Sequence, residues 1–340
     1  MRDVRLLPKA HLHLHFTGSM RPGTLLELAA RHGISLPEAL TSGRPPRLRA
    51  TDEKGWFRFQ RLYDIARSCV RDESDVRRLV LEAAQDDAAD GSRWLELQVD
   101  PTSYAVHLGG LTATLELIQD AARNASAATG VGLSLIVAAS RMRHPLDART
   151  LARLAVRHAG DSTGEVVGFG LSNDERRGDT SEFAGAFRIA RQAGLASVPH
   201  SGELLGPDHV RTTLDSLAPD RIGHGVRSVE DRSVLCDVVE RGITLEVCPG
   251  SNVALGVYAD QAAVPLRALR KAGARLALGA DDPLLFGSRL ADQYTFARET
   301  HGFDDGELAE LARDSVRGSR APDAVRAELL AGIDAWLAAP

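Results

Sequence analysis

Ala10-His11-Leu12-His13-Leu14-His15-Phe16 alternates imidazoles with apolar side chains, the period-two pattern of a β-strand in which residues i and i+2 share a face. His13 and His15 therefore point the same way, about 6–7 Å apart along the strand. Two imidazoles so placed can converge on one metal ion. For an isolated His-x-His the competing reading is a pair of histidines on a polar edge.

Further along the chain, short apolar runs of the same kind recur at Trp94–Val99, Gly132–Ala139, Val166–Leu171, Ala196–His200, Arg221–His224, Ile243–Val247 and Arg275–Ala280. Amphipathic stretches such as Leu111–Thr129, Phe183–Ala193 and Val229–Arg241 lie between them, several followed by a glycine placed to cap a helix (Gly130, Gly194, Gly242, Gly273). Strand–helix alternation at this spacing implies parallel β/α units. The pattern predicts an α/β fold, a (β/α)₈ TIM barrel forming a single domain over 1–340; a doubly wound sheet is the alternative. Residues 51–91 are expected to hold extra helices between the first and second strands, placed over the barrel mouth as a lid. Residues 304–340 are expected to add helices beyond the eighth strand.

Composition narrows the functional class. The 340 residues carry a formal charge of −5, so no basic surface invites nucleic acid or anionic lipid. Cys69, Cys236 and Cys248 have no metal-site or disulfide spacing and read as free thiols of a reducing compartment. The N-terminus has charges and histidines where a signal peptide needs an apolar run. No stretch approaches the roughly 18 apolar residues of a membrane span. A cytoplasmic protein acting on a small molecule is expected.

Polar residues cluster at strand ends. His200 stands in Val-Pro-His-Ser-Gly-Glu at the end of the fifth run, His224 in Ile-Gly-His-Gly at the end of the sixth, and Asp281 and Asp282 in Gly-Ala-Asp-Asp-Pro after the eighth. Barrel enzymes build their sites from the C-terminal ends of different strands. His13, His15, His200 and Asp281 suit one Zn²⁺ per chain; the fourth run has no lysine to bridge a second ion. His11, on the same face but deeper, reads as a supporting residue. His32, His107, His144, His158, His209 and His301 read as surface residues, and Asp86, Asp87 and Asp90 as a solvated helix face. Trp56, Phe57 and Phe59 read as core, with a place over an apolar pocket as the alternative.

Pro-Lys-Ala-His-Leu-His-Leu-His, His-Ser-Gly-Glu, Gly-His-Gly, Glu-Val-Cys-Pro-Gly-Ser-Asn and Ala-Asp-Asp-Pro, in this order between Pro8 and Phe286, resemble the adenosine deaminase family of amidohydrolases. The resemblance implies His13, His15, His200 and Asp281 as zinc ligands and Glu203 as the acid that protonates purine N1. It also implies His224 as the residue that orients the attacking hydroxide, Asp282 as the partner of N7, and Asn173 as the residue offering a backbone amide to N3. Asp281 can also pass a proton to the leaving amine, which makes it catalytic as well as a ligand.

Two departures bear on the substrate. Family members acting on adenosine carry an acid where this chain has Thr17, within Phe16-Thr17-Gly18, and Asp, Ala and Gly where it has Gly170, Ser172 and Asn173. An acid at Thr17 would contact a ribose 5′-hydroxyl; without it the resemblance implies an adenine nucleoside altered at C5′, with Phe16 and Thr17 beside the sugar. Aminodeoxyfutalosine of menaquinone biosynthesis is one such compound, and Arg58, Arg61, Arg141, Arg143, Arg176 and Arg177 are candidates for its carboxylate. The alternatives are adenosine or adenine deamination and, remotely, an inactive binding paralogue. The His-x-Glu and Pro-Cys-x-x-Cys signature of cytidine-type nucleic-acid deaminases is absent.

Overall fold

A computed structural model of the chain describes residues 1–42, 48 and 52–339. Its strands are β1 (Lys9–His15), β2 (Ser92–Val99), β3 (Gly132–Ser140), β4 (Val166–Ser172), β5 (Ala196–Ser201), β6 (Arg221–His224), β7 (Thr244–Val247) and β8 (Arg275–Leu278). They run parallel in the order β1 to β8. The ring closes where the backbone N–H of His15 donates to the Asp281 carbonyl and that of Asp281 to the His13 carbonyl, both at 3.0 Å. The fold is a (β/α)₈ barrel, and the expected strands coincide with the observed ones to within two residues at either end.

Alternation along each strand sorts side chains between the barrel interior and the surrounding helices. Leu95, Leu97, Leu133, Leu135, Phe169 and Leu171 face outward into a core with Leu115, Ile118, Leu151 and Phe187 of the helices. The interior is split. Ile136, Ala196 and Val198 fill it on one side, whereas Glu96, Arg221 and Glu246 place a buried ionic chain across the other: Arg221 Nη2 donates to Glu96 Oε2 and Nε to Glu246 Oε1, both at 2.6 Å.

The helix Glu53–Ser68 presents Trp56, Phe59, Gln60, Tyr63 and Arg67 to the pocket at the barrel mouth, positions that fall on one helical stripe. Phe57, on the opposite stripe, is 70% exposed. Thr51, where the insertion was expected to begin, and Pro340 lie outside the described residues. The helix Glu73–Ala89 packs instead on the barrel flank, and the solvated face expected at its end is corrected. Asp87 is buried and bonds His11 Nδ1 at 2.9 Å, Asp90 is buried and accepts the Ala291 N–H at 3.0 Å, and Asp86 pairs with Arg21 and Arg289. At the chain's end, Asp305–Gly318 and Asp323–Ala338 are helices, the first closing the seam by giving Ser315 Oγ to the Ala10 N–H at 3.1 Å. Among the described residues no helix is long and apolar enough to cross a membrane.

Lys9 opens β1 in a fully buried place, donating to the carbonyls of Val4 at 2.8 Å and Asp90 at 2.6 Å, with its ammonium 5.1 Å from the centre of the Tyr294 ring. Burial pulls its pKa down to about 7 from 10.5. Between those values the unfolded chain holds a proton that the folded chain has released, so stability rises with pH. The wild type should gain melting temperature relative to Lys9→Met by at least about 2 °C between pH 7 and pH 9.5. A difference that stays constant would mean that Lys9 does not titrate in this window.

Candidate active site

The hydrogen bonds that close the barrel bring Asp281 against both histidines of β1. Asp281 Oδ1 lies 3.1 Å from His15 Nε2 and 3.4 Å from His13 Nε2, and His200 Nε2 lies 3.3 Å from His15 Nε2. In its neutral form His13 donates from Nδ1 to Glu246 Oε2 at 2.8 Å, which leaves Nε2 as a bare acceptor, and among the described residues that buried nitrogen has no hydrogen-bond partner. Imidazole nitrogens and a carboxylate oxygen gathered this closely are stabilised by a cation among them. The donor set of three imidazoles and one carboxylate fits Zn²⁺, with Glu246 orienting the first ligand from behind. His13, His15, His200 and Asp281 are the residues that could hold the ion. His224 is close enough to compete, because its ligand atom lies within 4.8 Å of those of His13, His200 and Asp281. Its Nε2 lies 3.6 Å from Glu203 Oε1 and 4.0 Å from Asp281 Oδ2, between the acid and the ligand cluster. His11 stands below them, bonded to Asp87, with Nε2 accepting the Ala280 N–H at 3.0 Å.

Local backbone is strained where these side chains are aimed. Asn173, His224 and Asp281 have φ of 81°, 63° and 62°, three of the four non-glycine residues in the left-handed region among those described. Such conformations cost of order 1–3 kcal/mol each and persist where the surroundings enforce them. Glycine is required at position 18, where an added Cβ would come within 1.8 Å of Asp282 Oδ1.

The electrostatics separate acids from bases. Burial, reinforced by the charges of Asp281 and Glu175, raises the Glu203 carboxyl well above its usual range, which favours its protonated form. Burial and Asp281 push Asp282 up to about 7. Asp281 itself stays ionised: burial opposes this, but His13 and His15 hold it well below the usual carboxylate range. Burial lowers His224 to about 3 and holds His200 well below its usual range, leaving both rings neutral. Burial also pulls His13 down, yet Asp281 and Glu246 overcome it and lift the ring to about 10. A site that would protonate a buried imidazole so readily is one that favours a cation. Glu203 is held from behind by Glu175, whose carboxylate accepts the backbone N–H groups of Glu203, Leu204 and Leu205 at 3.1, 2.9 and 2.7 Å.

Above the ligand cluster a cleft of about 800 Å³, its open mouth included, is lined by His15, Phe16, Asn173, His200, Glu203, His224, Asp281 and Asp282, with the lid stripe across it. A sequence model described as adenosine deaminase matches residues 8–336. The chain belongs to the adenosine deaminase family. A Streptomyces virginiae protein whose name leaves adenosine and adenine as alternatives is 66% identical over 99% of this chain and 98% of its own length. The crystal structure of an adenine deaminase from Arthrobacter aurescens superposes with a TM-score of 0.87 at 31% identity, over 98% of this chain and 99% of that one. An amidohydrolase from Burkholderia ambifaria, solved with bound Zn, superposes at 0.85 with 25% identity, over 99% and 94%.

Within this family frame, the wall expected to face a sugar departs from what the sequence implied. Thr17 does not line the cleft: it is fully buried and its hydroxyl bonds that of Tyr104 inside the wall. Phe16 does line it, packed edge-on against Tyr104 with ring centres 5.3 Å apart. None of the six candidate arginines reaches the cleft. Arg58, Arg61 and Arg143 are exposed, Arg141 bonds the His200 carbonyl and Thr180 at 2.6 Å, and Arg176 and Arg177 pair with Asp174 and Glu53. The arginine on the wall is Arg67, which the sequence did not single out. Gln98, Asp100 and Tyr104 from the end of β2 and Ser140 from β3 were missed too, although the strand-end rule that found His200 and His224 applies equally there. His32 and His209 are half-buried rather than free surface residues: His32 bonds Asp75 at 2.7 Å, and His209 bonds Ser201 at 2.9 Å and Thr180 at 3.0 Å.

Proposed function

We propose that the chain catalyses zinc-dependent hydrolytic deamination of a 6-aminopurine, releasing ammonia, and that free adenine is the preferred substrate. The observation that carries the reaction class is the meeting, in one cleft, of a four-group zinc-ligand set with a buried carboxyl held neutral and a carboxylate held ionised. Zinc, when bound, lowers the pKa of a water toward ~7 and so supplies a nucleophile at neutral pH. Glu203 donates its proton to N1, stabilising the charge that develops when attack at C6 breaks the ring's aromaticity. Asp281, ionised beside C6, takes the proton of the nucleophile and passes it to the departing amine. His224, neutral and 3.6 Å from Glu203, gives the nucleophile a fixed polar contact. Asp282, with its raised pKa, bonds N7.

Free adenine is favoured because the wall beside Phe16 is closed by the chain's own rings and the Thr17 hydroxyl is spent on Tyr104, leaving no group among the described residues at that position to hold a sugar. The likeness to the Arthrobacter adenine deaminase supports the same choice. The second reading, a nucleoside carrying a charged group at C5′ such as aminodeoxyfutalosine, draws on Arg67 at the rim. A screen of adenine, adenosine, aminodeoxyfutalosine and methylthioadenosine, followed by loss of the adenine absorbance, separates them. We expect adenine to lead by at least about tenfold in kcat/KM, activity to vanish on chelation and return with zinc, and metal content near one per chain. Leadership by a 5′-modified nucleoside would replace the adenine reading, and a metal-free active protein would end the mechanism.

A further inference from the structure

Gln98 is the one cleft-lining amide whose oxygen and nitrogen are both buried without a hydrogen-bond partner among the described residues. The side chain is 1% exposed. It lies in register with His15 of β1 and Ile136 of β3; laterally paired residues share a face of the sheet, so it points inward with the zinc-ligand histidines. A buried amide left unpaired on both sides is destabilising in the free protein. Such a group is retained where a ligand completes it.

The topology says which part of the purine it meets. On the proposed function, on which this step rests, Glu203 after β5 takes N1 and Asp282 after β8 takes N7, with C6 between them at the ligand cluster of β1, β5 and β8. The edge of the ring opposite C6, which carries N3 and N9, then faces the remaining arc of the barrel, β2 to β4. Gln98, Ser140 and Asn173 line that arc. We infer that Gln98 is the residue that reads the free base: its Oε1 accepts the N9–H of adenine, and its Nε2 shares N3 with the backbone N–H of Asn173. A substituent on N9 removes the donated proton and puts carbon against the amide oxygen. Gln98 is therefore a specificity determinant that selects purine bases over N9-substituted purines, nucleosides included.

The test compares adenine with 9-methyladenine, which differs at N9 and brings no sugar. The wild-type zinc enzyme should favour adenine in kcat/KM by about 10–100-fold, the scale of a lost hydrogen bond that leaves a buried partner exposed to mismatch. Gln98→Met keeps the volume and removes both polar atoms. It should lower kcat/KM for adenine by about 10–100-fold, change that for 9-methyladenine by less than about threefold, and leave zinc content unchanged. It should also raise the melting temperature, because an unpaired buried amide is gone; a structural role would lower it. Equal losses on both substrates, undiminished adenine activity, or a fall in melting temperature would overturn the assignment while leaving adenine deamination standing. A wild type inactive on adenine but active on a nucleoside would overturn both. Gln98→Leu, read by the same ratio of the two substrates, is the second variant and should show the same selective loss on adenine.

Discussion

Replacing Glu203 with glutamine is expected to leave zinc content unchanged and to lower kcat by about 10²-fold or more, the scale of a lost general acid. The substitution keeps the shape of a side chain that is 5% exposed and whose Oε1 has no hydrogen-bond partner among the described residues, so the cleft should survive. Glu175 holds the loop through backbone N–H groups, and those are untouched. What is lost is acidity: burial favours the protonated form of Glu203, which on the proposed function donates to N1, whereas an amide N–H is a far weaker proton donor. Steady-state kinetics alongside metal analysis checks both halves. A near-normal kcat would move the acid elsewhere, and Asp282, raised to about 7 by burial and Asp281, is the other carboxyl able to serve.

The barrel was legible because period and punctuation agreed at every step. A run such as Val166–Leu171, apolar throughout, reads as a strand buried on both faces, while Leu111–Thr129 is amphipathic and ends at Gly130, which takes φ of 75°. Closure was not legible. That β8 meets β1 through the backbone of Asp281, and so brings a candidate metal ligand into place as it completes the ring, depends on a left-handed residue that local propensity disfavours. The lid was visible as an insertion, but its working face was not. Gln60, Tyr63 and Arg67 keep the helical spacing of any amphipathic stripe, and a stripe that covers a substrate has the same period as one that covers a core.

In the site, the residues found by sequence are those that repeat a short motif at a strand end. Those missed act across the chain. Asp87 and Asp90 belong to a charged helix run, yet one is drawn inward by His11 of β1 and the other by the Ala291 amide. Thr17 shows the reverse error. A position aligned with a sugar contact is turned into the wall by Tyr104, a partner 87 residues away. Glu96, Arg221 and Glu246 read simply as polar residues within strands, and their pairing depends on barrel closure, which places β2, β6 and β7 around one interior.

That ionic chain carries the other large effect. Arg221→Met is expected to cost about 3–5 kcal/mol of stability, because it strips a buried cation from two carboxylates that stay where they are. Glu96 and Glu246 are both fully buried, and Arg221 binds each at 2.6 Å while Nη1 holds the Gly318 carbonyl at 2.9 Å. Glu96 keeps the Trp94 indole N–H and the Arg320 backbone N–H at 3.0 and 2.5 Å, but among the described residues Glu246 keeps only His13 at 2.8 Å. In the wild type burial pushes Glu246 up, yet Arg221 and His13 together outweigh it and the carboxyl sits below its ordinary value. Without Arg221 burial wins and the folded-state pKa rises above the unfolded one. The folded variant then binds a proton that the unfolded chain releases, so its stability is highest below the unfolded pKa and falls as pH rises through the folded one. Denaturant unfolding should therefore show a larger loss at pH 8 than at pH 5. Adding Glu96→Gln, which removes one of the stranded charges, should recover part of the loss. Zinc should bind more weakly as well, since Glu246 orients His13 and a protonated Glu246 no longer accepts its Nδ1–H as well. A loss under about 1 kcal/mol that does not change with pH would show that the carboxylates need no cation there.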